Sequence, residues 1–178
     1  IASKKIFLAV GFEKYKVYNK IGYYKKNLRL NNNWMAIIFE KLIPDEGQIE
    51  NLYTLLSSRK HAISHDNLPS KKEHTHFVLD NPYIEWYLIY EEKNLLGSVY
   101  IHSDNSIGIN IIKPNKYIVE SIISYIKKNH KPLDQIKSLR RGEFFLNVAT
   151  GDSTMIKILD QLSKKKIQSS YVIWNYFA

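Results

Sequence analysis

The chain has 178 residues, 44% of them apolar and 24% charged, which supports one domain with a real core, or one domain plus an appendage. It contains no cysteine, so disulfides, thiolate nucleophiles and cysteine-ligated zinc are excluded. Its net charge of +9 is concentrated in residues 1–33, which hold eight Lys or Arg against the single acid Glu13, while the remainder is close to balance.

That distribution argues against nucleic acid as a partner, because the domain itself presents no overall cationic character. No apolar run approaches the ~18 residues of a membrane span, and no signal-peptide pattern opens the chain. The expectation is a soluble, cytoplasmic protein with no membrane partner.

Taken in order, residues 2–10 carry a short helical pattern stopped by Gly11, a residue suited to a helix C-cap. Residues 14–21 alternate as a half-buried strand, Gly22 marks a turn, and residues 23–30 read as irregular. Asn31, Asn32 and Asn33 form a turn or linker ahead of a strong strand over residues 34–43. Pro44, Asp45 and Glu46 open a helix whose apolar face carries Ile49, Leu52, Leu55 and Leu56. Ser70 and Glu73 form a capping box, which predicts a helix from Lys71 to about Leu79, ended by Asn81 and Pro82.

Residues 86–112 then read as three short strands in a meander, separated by polar turns at residues 91–94 and 103–106. A helix over residues 119–128 presents Ile122, Ile123 and Ile126 on one face. A basic connection, residues 131–142, leads to a buried strand over 144–148. A helix N-capped by Asp152 follows, running to about residue 165. Residues 168–177 predict a closing strand. Antiparallel strands feeding helices in this order give an α+β fold.

Three local patterns resemble the GNAT superfamily of N-acetyltransferases. Trp86-Tyr87-Leu88-Ile89, then Leu96-Gly97-Ser98-Val99-Tyr100, then Ile107-Gly108-Ile109 are similar to its second to fourth strands. Arg59-x-x-x-Ile63-Ser64, followed by Ser70, Glu73, His74 and Phe77 in Ser-x-x-Glu-His-x-x-Phe, resembles members that acetylate amino sugars linked to nucleotides. Phe145-Leu146-Asn147-Val148 and the helix after it resemble the fifth strand and last helix.

The resemblance covers roughly residues 36–178, within a domain expected over 34–178, and implies a GNAT-like mixed, mostly antiparallel central sheet flanked by helices. It implies an acyltransferase that carries acetyl from acetyl-CoA, as co-substrate, to a primary amine on a small molecule. Acetyl-CoA would lie where the fourth and fifth strands part, along Ile109, Asn110 and Ile111, with Asn147 on the facing strand. Its pyrophosphate would meet the helix start at Lys116, Tyr117, Ile118 and Val119.

The family's glycine-rich loop is replaced here by Asn115-Lys116-Tyr117-Ile118-Val119-Glu120. The register of its last-helix tyrosine falls on Leu159. The alternative reading is therefore a non-catalytic GNAT-fold module acting as a partner or dimerisation domain. Residues 1–33 are similar to the tail of such a domain, through Ala2, Ser3, Phe7, Gly11 and Phe12. They are expected to belong either to a preceding GNAT domain in the same chain or to a native N-terminal extension. A homodimer is the other partner expected.

Acetyl transfer requires a base for the acceptor ammonium and an acid for the leaving thiolate. Glu85, His102 and His65 are candidate bases, and Tyr171 or Tyr176 is a candidate replacement for the missing tyrosine; each is also readable as an ordinary surface or packing residue. Arg59, His61 and His65 follow the first long helix, where the sugar-type relatives contact substrate. Arg59 suits a phosphate through its bidentate fork. No metal site is expected, since His74 and His76 stand two apart on a helix and no HExxH motif occurs.

Overall fold

The computed structural model describes residues 12–18, 21–30, 33–61, 67–162 and 164–168. The predicted helix over residues 2–10 and all of the closing strand but Gln168 lie outside the described residues. Gln168 itself is not in a strand.

Seven strands form one mixed sheet in sequential order: β1 (Phe12–Tyr18), β2 (Ile21–Leu30), β3 (Asn33–Lys41), β4 (Glu85–Glu91), β5 (Asn94–Ile101), β6 (Ser106–Ile111) and β7 (Phe145–Leu146). Every neighbour pair is antiparallel except β6 with β7, which is parallel. Helices α1 (Glu46–Ser57) and α2 (Lys71–Asp80) join β3 to β4. Helix α3 (Lys116–Asn129) joins β6 to β7, and α4 (Ser153–Gln161) follows.

Two sequence readings change in the sheet. Residues 23–30, read as irregular, belong to β2, and Gly22 pairs with Val17 inside the hairpin instead of marking its turn. Pairing of β2 with β3 over Tyr24↔Phe39 to Leu30↔Asn33 supplies the partner that the local pattern did not reveal. The sheet is thus continuous across the boundary between residues 33 and 34.

Alternation along the strands divides the core between two faces. Ile37 and Phe39, Tyr87 and Ile89, and Val99 and Ile101 point to one face, where Ile118, Ile122, Tyr125 and Ile126 of α3 cover them. Tyr125 stacks flat on Phe39, with ring centroids 4.0 Å apart. Trp86 and Leu88 point to the other face, against Leu52 and Leu55 of α1 and Val78 of α2.

The helices begin where local chemistry directs. Asp45 caps α1 by accepting from the Gln48 amide, and Asp152 caps α4 through Met155. Ser70 and Glu73 complete the predicted capping box of α2. Helix α3 starts earlier than its apolar pattern indicates, because the Asn115 side chain accepts from the Ile118 amide at 2.9 Å. No helix among the described residues is long and apolar enough to cross a membrane.

Candidate functional site

The sheet opens between β6 and β7. These strands pair only at Ser106↔Phe145 and Ile107↔Leu146, so the predicted five-residue strand over 144–148 is reduced to two. The ladder on the other side of β6 shows what the opening leaves exposed. Ser106 accepts from His102 at 2.9 Å, and Ile112 donates to Leu96 at 3.0 Å. Even-numbered residues of β6 therefore bond to β5, while Ile107, Ile109 and Ile111 direct their amides and carbonyls toward β7. Beyond Ile107 no strand meets them among the described residues. The backbone of Ile109 and Ile111 forms a free edge inside the fold. Their side chains remain covered, packing with Val119 of α3, Met155 and Ile158 of α4, and Val148.

Helix α3 begins at the far end of this edge. Of its first-turn amides, Ile118 is taken by the Asn115 side chain and Val119 by the Asn115 carbonyl. The amides of Lys116 and Tyr117 have no hydrogen-bond partner among the described residues. An anion placed there would meet two amides and the positive end of the helix, with the exposed Lys116 and Glu120 alongside. Ile118 and Val119 are buried and present no side-chain function. The Tyr117 hydroxyl is buried with no hydrogen-bond partner among the described residues. Tyr117 also lines a cavity of about 580 Å³ with Glu91, Leu95 and Lys113, on the β5 side of β6.

On the α1 and α2 face, a row of Cα partners crosses three strands: Trp86, Tyr100 and Gly108. Gly108 has no side chain, and the Tyr100 ring occupies the space: a Cβ at Gly108 would lie 2.0 Å from Cε2 and 2.4 Å from the phenol oxygen. Tyr83 stacks on Tyr100 at 4.2 Å, and His102 stands edge-on to both rings at 4.8 and 5.3 Å. Phe77 meets Trp86 and Tyr83 edge-on, and the Trp86 indole nitrogen is buried without a hydrogen-bond partner among the described residues.

Arg59, half-buried just after α1, lies close enough for its charge to act on both phenols. Burial raises both phenols above the ordinary tyrosine value and outweighs Arg59. Asn110 donates to the Leu55 carbonyl at 3.1 Å, holding the end of α1 over β6. The Nδ1 of His61 lies 3.5 Å from where a Cβ on Gly151 would stand, in the turn before α4.

The predicted residues thus divide. Arg59 and His102 lie beside Tyr83 and Tyr100, and His61 lies against Gly151; Ile109 and Ile111 form the edge of the opening; Lys116 and Tyr117 stand at its far end; Asn147 is exposed just past β7. The Asn110 side chain ties β6 to the end of α1. His65, Tyr171 and Tyr176 lie outside the described residues.

Glu85 sits on the opposite face, where Lys41 approaches it at 2.8 Å and the Tyr87 hydroxyl donates to it at 2.8 Å. With that proton committed, the Tyr87 oxygen accepts from Nε2 of His130 at 3.2 Å. Burial works to raise the Glu85 carboxyl, but Lys41 and Tyr87 outweigh it and hold it below the usual carboxylate range. Such a carboxylate is a weak base, and it is separated by the sheet from the face that bears His102.

His74 is buried with Nε2 3.3 Å from the Ile49 carbonyl, while His76 is exposed beside Asp80 at 3.4 Å. No cluster of potential metal ligands occurs among the described residues. Sequence reasoning missed Tyr83, Trp86, Tyr100 and Gly108 as site residues. The available signal was a glycine inside a strand, which marks close approach of another group. No family model matches the chain, and no curated protein matches it.

Proposed function

We propose that the protein is a GNAT-type N-acyltransferase that transfers acetyl from acetyl-CoA to a primary amine. The favoured acceptor is an amino sugar carried on a nucleotide. The observation that carries this reading is the parallel β6–β7 pair that parts after two residues, leaving the backbone of Ile109 and Ile111 open along its length. An extended amide-bearing arm such as pantetheine can pair there as an added strand. The free amides of Lys116 and Tyr117 stand where a pyrophosphate would follow.

The acceptor side supports the same reading. Arg59 supplies a fork for a phosphate, and the Phe77, Tyr83 and Tyr100 rings supply flat apolar surface for a base. His102 is the titratable side chain beside these rings and takes the role of base toward the acceptor ammonium.

The second reading, a non-catalytic GNAT-fold partner module, draws on α3 and α4. The turn into α3 carries Tyr117 and two buried aliphatic residues where glycines would admit phosphate closely, and Leu159 packs among apolar neighbours.

Calorimetric titration of the 178-residue chain with acetyl-CoA, with ATP as control, separates the two readings. The acyltransferase reading expects a dissociation constant on the order of micromolar and no comparable binding of ATP. A folded sample that takes up no acetyl-CoA at millimolar ligand would refute it in favour of the partner module.

A further inference from the structure

We infer that Tyr100 is the acid that protonates the departing thiolate, an inference that rests on the acyltransferase reading above. Helix α4 offers no phenol: its sequence is STMIKILDQ, and Leu159 packs against the cluster of Val119, Met155 and Ile158. The Tyr100 hydroxyl instead reaches the open strand from its neighbour. Its oxygen lies 2.4 Å from the Cβ position of Gly108. Gly108 stands between Ile107, the last residue of β6 paired with β7, and Ile109, the first whose backbone faces the opening. The phenol is thereby placed over the point where the two strands part.

The surroundings suit an acid more than a packing residue. A tyrosine lying across its neighbouring strand needs a glycine beneath it, and Gly108 supplies that space. Tyr83 and His102 hold the ring from two sides. Burial keeps the proton on the phenol near neutral pH, while Arg59 and the Tyr83 hydroxyl stabilise the phenolate that forms when it is given up.

The transfer balances as follows. A base takes one proton from the acceptor ammonium, and the amine lone pair forms the C–N bond at the thioester carbonyl carbon. The C–S bond breaks with its electron pair on sulfur. The Tyr100 proton passes to that sulfur, and the phenolate recovers a proton from the amide nitrogen. The products are an N-acetyl amide and free CoA thiol, with one proton released.

The test compares CoA with desulfo-CoA, which lacks only the thiol, in the full chain and in Tyr100→Phe, by calorimetry at pH 8.5. Phenylalanine keeps the stacked ring and removes only the hydroxyl. The wild-type chain is expected to prefer CoA by about tenfold, the worth of one hydrogen bond to a thiolate. Tyr100→Phe should erase that preference and leave desulfo-CoA affinity unchanged.

A preference that survives in Tyr100→Phe, or no preference in the wild type, overturns the assignment. Equal loss of both ligands in Tyr100→Phe assigns the residue a structural role only and also overturns it. Failure of the wild type to bind either ligand removes the acyltransferase reading itself, and this inference with it.

Discussion

Replacing Asn105 should destabilise the protein more than most single substitutions, because one fully buried side chain joins three parts of the fold. Its Nδ2 donates to the carbonyls of Leu133 at 2.8 Å and Arg141 at 2.6 Å, and its Oδ1 accepts from the Leu133 amide at 2.8 Å. Its own amide donates to His102 at 3.1 Å, and its carbonyl accepts from Phe145 at 3.3 Å, the first hydrogen bond of the β6–β7 pair. Its φ of 70° lies in the left-handed region, which asparagine tolerates and alanine does not.

Asn105→Ala removes three side-chain hydrogen bonds at roughly 1 kcal/mol each, strands their buried partners, and adds about 1 kcal/mol of backbone strain. A loss of about 4–5 kcal/mol is expected, a large part of the ~5–15 kcal/mol typical of a domain. Asn105→Gly removes the same hydrogen bonds without the strain, so it should lose about 1 kcal/mol less. Urea unfolding followed by far-ultraviolet circular dichroism measures all three chains, with comparable slopes confirming a common unfolding reaction. A loss below about 1.5 kcal/mol for Asn105→Ala, or a glycine variant less stable than the alanine variant, would refute the reasoning.

Two further substitutions address the two faces of the sheet. Gly108→Ala places a methyl group within 2.0 Å of the Tyr100 ring, which must swing away and lose its stacking on Tyr83. A loss of about 1–3 kcal/mol is expected, with a changed near-ultraviolet signal; an unchanged aromatic spectrum would count against the described contact. On the other face, burial lowers the proton affinity of His130 in the folded state, Lys41 adding to this and Glu85 opposing it. The unfolded chain therefore takes up a proton first as pH falls through about 6.5, so stability drops from there down to the lower folded-state value. Thermal unfolding between pH 7.5 and 5 should show a shallower decline in His130→Gln than in the wild type; parallel declines would contradict the assigned sign.

Local chemistry made much of the fold legible. The capping box at Ser70 and Glu73, the N-caps at Asp45 and Asp152, and the alternation of residues 86–112 each act within a few residues, and their elements appear close to where expected. Arg59 and His61 entered as candidates through the family resemblance and His102 as a candidate base; local chemistry by itself marked none of them. Strand β2 was not legible: its residues show no strong alternation, and pairing with β1 on one side and β3 on the other holds them extended.

Sequence alone determined the α+β order, the meander, the starts of α1, α2 and α4 and the absence of cysteine chemistry, because propensity, capping and periodicity are properties of neighbouring residues. Tertiary structure alone decided the site. The length of β7 depends on Asn105 joining segments up to 36 residues apart. The separation of Glu85 from His102 depends on which face each meets, and the position of Tyr100 over Gly108 depends on the register between β5 and β6. A shift of one residue in that register would turn each side chain to the opposite face while leaving every local preference unchanged.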